Sequence, residues 1–286
     1  MRDAVNTTKE LDAVMTQTAV VSKNTVADMW KTLPEYSKEA KKLGAAIKDV
    51  YSAQTLYVQQ GLEMNQAMEL GVETLKMARV AGIDAAEATN SMTAALRGFN
   101  MELTETSALR VNDVYSKLAQ NTASNVQEIS TAMTKTAALA NSANMSFENT
   151  AAFLATIIES TREGAETAGT ALKTVIARFT EVKKLYSEGE LTGTDEEGQE
   201  VDVNKISKAL RTAGINMNEF FTGAKGLDEI FMELGSKWNS LTTVQQRYIA
   251  TMAAGSRQQS RFLALMQNYS RTAELTEMAY NSAGSS

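Results

Sequence analysis

Apolar residues return at the spacing of an α-helix in segment after segment of this chain, and polar capping residues separate the segments. Such a pattern restricts a chain to separate helices, each with one apolar face that needs a neighbour. The 286 residues include a single proline, so few positions oblige a helix to end. We therefore predict an all-α protein, either a multi-helix antiparallel bundle or stacked helical hairpins, with one acidic glycine-rich loop.

Capping signals predict where several of these helices begin. Asp84 stands in an N-cap position, Glu87 completes the pattern of a capping box, and Gly98 lies near the far end of the same helix. Gly214 and Gly255 are predicted to end helices in the left-handed conformation that glycine adopts easily. Further helix starts are predicted at Ser124, Ser146, Thr242, Ser256 and, with proline in the first turn, Thr32–Glu35. Capping boxes are predicted for three of them, with Gln127, Gln245 and Gln259 three residues after Ser124, Thr242 and Ser256.

The apolar faces of these helices supply the predicted core. Trp30 is expected to be a packing anchor beside them. Because most of the stripes are one face wide, each helix is expected to pack on another. The stripes contain Ala88, Met92, Ala95, Leu96, Phe99, Val111, Val114, Tyr115, Leu118, Val126, Ile129, Met133, Ala140, Phe147, Leu154, Ile158, Leu172, Val175, Ile176, Phe179, Tyr186, Val203, Ile206, Leu210, Val244, Tyr248, Ile249, Met252, Phe262, Leu265, Met266 and Tyr269.

One segment interrupts the helical pattern. Residues 188–202 read EGELTGTDEEGQEVD and contain three glycines and seven carboxylates, which predicts an exposed loop or a small hairpin. We expect it to divide the chain into an N-terminal helical region, 1–187, and a C-terminal helical region, 203–286. A loop of this length also occurs within one domain, so a single-domain arrangement is the alternative.

Charge and composition exclude several classes of function. The net charge of −6 and the pI near 5.0 argue against a nucleic-acid surface, which needs clustered cations to displace counterions. The absence of histidine and cysteine removes the commonest general base, thiolate catalysis and most zinc sites. No secretory signal is visible, and the longest apolar run, residues 151–158, is far shorter than the roughly 20 residues of a membrane span.

The residues that remain for catalysis or ligand binding give weak signals, so no catalytic, cofactor-binding or metal-binding residue is predicted. Glu159 and Glu163 are spaced to share one helix face, as an acid/base pair would, but a solvated face balanced by Arg162 explains them as well. Gly193 and Gly198 have the spacing of a phosphate loop without its lysine. An EF-hand that starts at Asp195 would lack its glycine and its glutamate.

Two further groups of residues allow a functional and a structural interpretation. A group of five methionines suits a partner-binding surface, since thioether side chains repack easily, but we favour the interpretation that they fill a helical core. The basic residues of one helix are interpreted as a solvated face, since carboxylates accompany them. The first group is Met64, Met68, Met77, Met92 and Met101, and the second is Lys173, Arg178, Lys183 and Lys184.

Several longer segments resemble the tape measure proteins of long-tailed phages and prophages, and the resemblance runs essentially end to end. The departure is at residues 164–168, GAETA, where the family's pattern has a proline and a weaker helix break is expected here. The segments are TLKMARVAGIDAAEATNSMTAALRGFNMEL (74–103), DVYSKLA (113–119), EISTAMTKTA (128–137), AFLATIIESTRE (152–163), GTALKTVIARF (169–179) and RYIATMAAGSRQQSRFLALM (247–266).

The resemblance implies a structural tail protein, not an enzyme. It implies a position in the lumen of the tail tube, nucleation of tube assembly, a part in setting tail length, and release when DNA is injected. The implied partners are the tail tube protein, tail assembly chaperones and tail tip or baseplate proteins, with self-association and host cytoplasm as the place of assembly. Family members are usually much longer, so this chain is expected to be the N-terminal part of a larger polypeptide. The alternatives are a helical peptidoglycan hydrolase region and a generic helical adaptor.

Overall fold

The structure is a computed structural model that describes residues 2–286, with side chains from Thr7 onwards. This part of the chain contains fourteen α-helices, one short 3-10 helix and one two-stranded antiparallel sheet, which confirms the all-α prediction. The elements are α1 Arg2–Ser22, α2 Val26–Leu43, α3 Ile47–Gln59, α4 Met64–Ala81, α5 Ala85–Gly98, α6 Glu105–Asn121, α7 Val126–Ser142, α8 Phe147–Thr161, α9 Ala165–Glu188, β1 Thr192–Thr194, β2 Glu200–Asp202, α10 Val203–Arg211, α11 Met217–Phe221, α12 Leu227–Lys237, the 3-10 helix Trp238–Ser240, α13 Thr243–Gln267 and α14 Tyr269–Tyr280.

The chain forms two compact units. The first comprises the residues up to Leu96 and Met101–Asn112 together with Ser286, and the second comprises Arg97–Asn100 and Asp113–Ser285. Residues on both sides of the predicted division at 188–202 therefore lie in the second unit. Separate folding of 1–187 and 203–286 stays a prediction.

The first unit is built around the packing of α3 on α1 and α4. Tyr36 of α2 stacks on Tyr51 of α3, with ring centroids 4.1 Å apart, and both rings are buried. The Tyr51 hydroxyl donates to the carbonyl oxygen of Met29 at 2.9 Å. A buried phenol oxygen costs free energy unless it finds a hydrogen-bond partner, and this contact supplies one.

The second unit is organised around α9, which packs on α7, α8 and α13. Gly169 of α9 allows the closest of these approaches, because a Cβ there would lie 2.6 Å from the carbonyl oxygen of Ala132 in α7. Phe179 contacts Phe231 with centroids 5.2 Å apart, and Phe231 contacts Phe262 at 5.5 Å. These edge-to-face contacts join α9, α12 and α13 into one aromatic core.

Three of the six predicted helix starts are confirmed. The Asp84 carboxylate accepts from the Glu87 amide at 2.8 Å, and Ser146 caps α8 through the Asn149 amide. Thr242 and Gln245 form the predicted capping box of α13. The start predicted at Ser124 lies one residue later, because the amide side chain of Asn125 accepts from Glu128 and completes its own box.

The predicted start at Thr32–Glu35 is wrong. Thr25 and Asp28 form a capping box that starts α2 at Val26, so Pro34 lies inside the helix. Proline there removes one hydrogen bond to the carbonyl oxygen four residues back, on Trp30. Pro34 faces solvent, where water can bond to that oxygen in place of the missing amide.

The predicted core is confirmed for most stripes, including the whole stripe on α6. Three predicted core residues are exposed instead; Tyr186 is covered on one ring face by Phe221 of α11. Trp30 is 44% exposed, Tyr186 is 49% exposed and Val244 is 78% exposed. Trp30 is therefore no packing anchor.

Candidate functional site: the hairpin and the break in α13

The acidic segment folds into a hairpin, residues 192–202, that is held by its own carboxylate. Strands β1 and β2 pair with Gly193 opposite Val201. At the turn, one oxygen of Asp195 accepts from the amides of Glu197 at 3.0 Å and Gln199 at 2.8 Å. A short polar side chain that bonds to amides further along the chain favours a tight turn, which explains a hairpin in so acidic a sequence.

The interpretation of Arg178 as part of a solvated face is wrong. Arg178 is 4% exposed and donates three hydrogen bonds: to Asp195 Oδ2 at 2.5 Å, to the Glu200 carbonyl at 2.7 Å and to the Met252 carbonyl at 2.9 Å. A buried guanidinium needs a charge partner and bonded protons, and the hairpin supplies both. The prediction that the acidic segment is exposed is therefore wrong at Asp195, which is buried.

Helix α13 is broken at Gly255, as the sequence predicts, but not by a left-handed cap. Gly255 has φ 68° and ψ 172°, a region that residues with a Cβ atom essentially avoid. The predicted capping box of Ser256 with Gln259 is absent, since Gln259 bonds to Thr251 instead. The helix after the break is capped from the hairpin: Gln199 Oε1 accepts from the Ser256 amide at 2.9 Å and from its hydroxyl at 2.8 Å.

A second acidic residue extends the contact between the hairpin and the helices. Glu197 accepts from Gln258 of α13 at 2.8 Å, from Gln199 at 2.9 Å and from Thr174 of α9 at 3.4 Å. We call the set Arg178, Asp195, Glu197 and Gln199 the hairpin clasp. Its polar groups join the hairpin to α9 and to both sides of the break in α13.

The glutamate pair does not have the arrangement of an acid/base pair. Helix α8 ends at Thr161, so Glu159 is helical and Glu163 is not. Glu163 binds Arg261 with two hydrogen bonds, of 2.7 and 2.9 Å, and Glu159 contacts Arg271 at 3.3 Å. Each carboxylate therefore pairs with an arginine of α13 or α14. Arg162, which the sequence suggested as the balancing charge of a solvated face, instead donates to the Ala123 carbonyl.

The methionine interpretation is confirmed where the structure buries the side chains. Met77 and Met92 are buried, and Met64 and Met68 pack on the core cluster of the first unit.

Lys183 lies over the ring of Phe220, 5.0 Å from its centroid, and Lys173 pairs with Glu196 on the surface.

Across the described residues, no three acidic side chains come together in a way that could hold a metal ion. None of the described helices has both the length and the apolar character that crossing a bilayer requires.

Sequence reasoning missed Arg178 and Gln199, for different reasons. Arg178 follows Val175 and precedes Val182 at helical spacing, and both valines are buried, so periodicity could have placed Arg178 on the buried face. Gln199 contacts Ser256, 57 positions away, and no local sequence pattern predicts that contact.

Comparison with known proteins places the chain in a family. The model of the family described as phage-related minor tail protein matches residues 37–255. The tape measure protein of Pneumococcus phage Dp-1 is 23% identical over 215 residues, which cover 73% of this chain and 18% of that protein. The chain thus spans less than a fifth of the length of this curated relative. No solved structure matches it. Because the family match covers most of the helices, including the hairpin clasp, the chain belongs to the phage-related minor tail protein family and has a structural role in a phage tail.

Proposed function

We propose that this chain is the folded assembly region of a tape measure protein. It occupies the lumen of the tail tube, nucleates tube assembly and helps to determine tail length. The observation that carries the proposal is the similarity of 73% of the chain to a protein named as a tape measure protein, within a family of tail proteins.

The lengths of the helices support an assembly role over a ruler role. A ruler converts residues into length most directly as one extended helix, at about 1.5 Å per residue, which would make 286 residues about 430 Å long. The longest described helix, α13, has 25 residues and is broken at Gly255. Since the described helices pack into two compact units, this region supplies surfaces for docking instead of continuous length.

The proposed partners follow from this role. They are the tail tube protein, tail assembly chaperones and tail tip or baseplate proteins, together with further copies of this chain. Assembly takes place in the host cytoplasm, and the product is a virion tail component. The region acts without catalysis, and a turbidity assay on purified cell walls tests this: clearing by the protein would support the hydrolase alternative.

The proposal predicts that damage to this region changes the number of tails and leaves their length unchanged. Leu172 of α9 is 2% exposed, so Leu172→Asp places an unpaired carboxylate in the core of the second unit and unfolds the docking surface. In a phage that encodes this chain, electron microscopy of lysates should show far fewer tails of unaltered length.

The matched control introduces the same residue at an exposed position of the same helix. Lys184 is 58% exposed, so Lys184→Asp should leave the number and length of tails unchanged. Normal numbers of uniformly shorter tails in the Leu172→Asp phage would overturn the proposal and assign this region to the ruler. Co-purification with the tail tube protein, lost in the Leu172→Asp variant alone, is the corresponding binding test.

A further inference from the structure

Two adjoining depressions lie beside α10 in the second unit: the smaller is also bordered by α11 and the end of α9, and the larger is lined by α10 and its C-cap Thr212 alone. Their volumes are about 200 Å³ and about 510 Å³. Both are lined by Asn204, Ser207 and Arg211, so they form one continuous concave surface. We call this surface the α10 groove.

The charges of the α10 groove differ from those of the chain as a whole. The chain has 34 acidic and 28 basic residues, but no acidic residue is among those that line the groove. Its cations, Lys208 and Arg211, are exposed, and neither has a partner for its charge among the described residues. Lys205 of the same helix lies outside the groove and pairs with Glu200 at 2.8 Å. The groove therefore offers unpaired positive charge in a protein of net charge −6.

The smaller depression also carries exposed apolar side chains, and we call this part the apolar end of the groove. The Tyr186 ring stacks on Phe221, with centroids 4.2 Å apart and planes 16° apart, and Tyr186 is 49% exposed. Leu191 beside it is 54% exposed. Exposed aromatic and aliphatic side chains next to an unpaired arginine are the composition of protein-binding surfaces.

We propose that the α10 groove binds an acidic segment of a partner protein, with an aromatic or aliphatic side chain a few residues from its carboxylates. The guanidinium of Arg211 donates two parallel hydrogen bonds to a carboxylate of the partner, and Lys208 adds a second positive charge. Asn204 lines both depressions, so its amide side chain is available to a bound segment. The partner's apolar side chain packs on Tyr186 and Leu191.

A nucleic acid fits this surface less well than an acidic protein segment. Binding a polyanion depends on many cations that displace counterions together, whereas the groove has two. Bases of a single strand stack on exposed aromatic rings, but two cations neutralise few phosphates, so the small number of charges favours a protein partner.

The test uses fluorescence anisotropy with a short fluorescein-labelled peptide that carries glutamates and phenylalanines between glycine and serine spacers. The full chain should bind it, and affinity should fall as sodium chloride is added, because exposed charges are screened. Replacing the glutamates by glutamine, or the phenylalanines by alanine, should weaken binding. Arg211→Gln should weaken it by about tenfold, since a hydrogen bond to a charged group is lost.

The matched control is Lys205→Gln, which makes the same loss of charge on the same helix outside the groove and should leave affinity unchanged. Leu191→Ser tests the apolar end and should weaken binding without removing its dependence on salt. Circular dichroism establishes that each variant is folded. The anisotropy assay measures neither the number nor the length of tails. A failure of peptide binding would therefore leave the proposed function untouched.

Three results would overturn the proposal. The first is the absence of binding by the acidic and apolar peptide at millimolar concentration. The second is tighter binding of a labelled single-stranded oligonucleotide that Arg211→Gln abolishes. The third is a dimer in light scattering that Arg211→Gln converts to a monomer, since a second copy of the chain would then occupy the groove.

Discussion

The carbonyl oxygen of Met252 and the amide of Ser256, which bond to each other in a continuous helix, are bonded by two side chains from outside α13. Arg178 donates to the Met252 oxygen at 2.9 Å, and Gln199 accepts from the Ser256 amide at 2.9 Å. Asp195 joins these two residues, since it accepts from the Arg178 guanidinium and from the backbone N–H of Gln199. The break in α13 thus leaves neither of these two backbone groups without a partner, as a stable break requires.

The Arg178–Asp195 pair should be the most sensitive part of the hairpin clasp. Asp195→Ala leaves a buried guanidinium without its counter-charge and should lower the free energy of unfolding by about 3–5 kcal/mol. Urea denaturation measures the change. The matched control is Glu196→Ala, which removes a half-exposed surface pair with Lys173 and should lower the free energy by less than about 1 kcal/mol. Equal effects of the two substitutions would contradict the burial of Arg178.

Gly255→Val should destabilise the protein by about 1–3 kcal/mol, because the positive φ and extended ψ at this position exclude a side chain. A Cβ atom there would also lie 3.0 Å from the amide of Gln199. The melting temperature reports the change. Gly164→Ala is the control: Gly164 has φ −61° and open space around it, and the weaker N-cap of alanine is offset by the lower entropy of the unfolded chain, so stability should shift by less than about 1 kcal/mol. An unchanged melting temperature for Gly255→Val would show that α13 is not broken in solution.

Limited proteolysis should cut first between the end of α9 and β1. Glu188 and Glu190 are exposed, whereas Asp195 and Val201 are buried, so a glutamate-specific protease should cleave after Glu188 or Glu190. Mass spectrometry identifies the fragments. We expect them to stay together on gel filtration, because α13 packs on α8 and α9. Separation into two folded fragments would support the division into 1–187 and 203–286, and first cleavage within α7 would contradict the positions of the exposed segments.

Alkaline pH should destabilise the protein through Tyr57. Burial raises the pKa of Tyr57 from 10.0 to about 12, although Thr74 at 2.7 Å favours the ionised form. The raised pKa favours the folded state below pH 10, and this contribution is lost as pH rises from 10 to 12, because only the unfolded chain releases the proton there. The loss is about 1.4 kcal/mol per pH unit.

The comparison that isolates this effect is Tyr57→Phe. The variant also lacks the hydrogen bond to Thr74, which lowers stability at neutral pH, so the slopes between pH 10 and 12 are compared and not the absolute values. The wild-type slope, from urea denaturation at several pH values, should be steeper. Parallel curves would mean that Tyr57 titrates alike in both states.

The helices and most of their buried faces follow from the sequence alone. The stripe on α6 and the caps at Asp84, Ser146 and Thr242 each depend on residues three or four positions apart, which one helical turn brings together whatever surrounds it. The need for a glycine at position 255 is of the same local kind. The resemblance to tape measure proteins is likewise carried by the order of the residues.

Only the tertiary structure decided which partners the polar residues found. Ser256 had a local capping candidate in Gln259, but packing brings Gln199 of the hairpin to its amide instead. Arg178 lies on an apolar stripe, and it can be buried because Asp195 reaches it from 17 positions further along the chain. Such contacts depend on where separate elements meet, and the energy of burying a charge depends on the partner it meets there, which local periodicity does not encode.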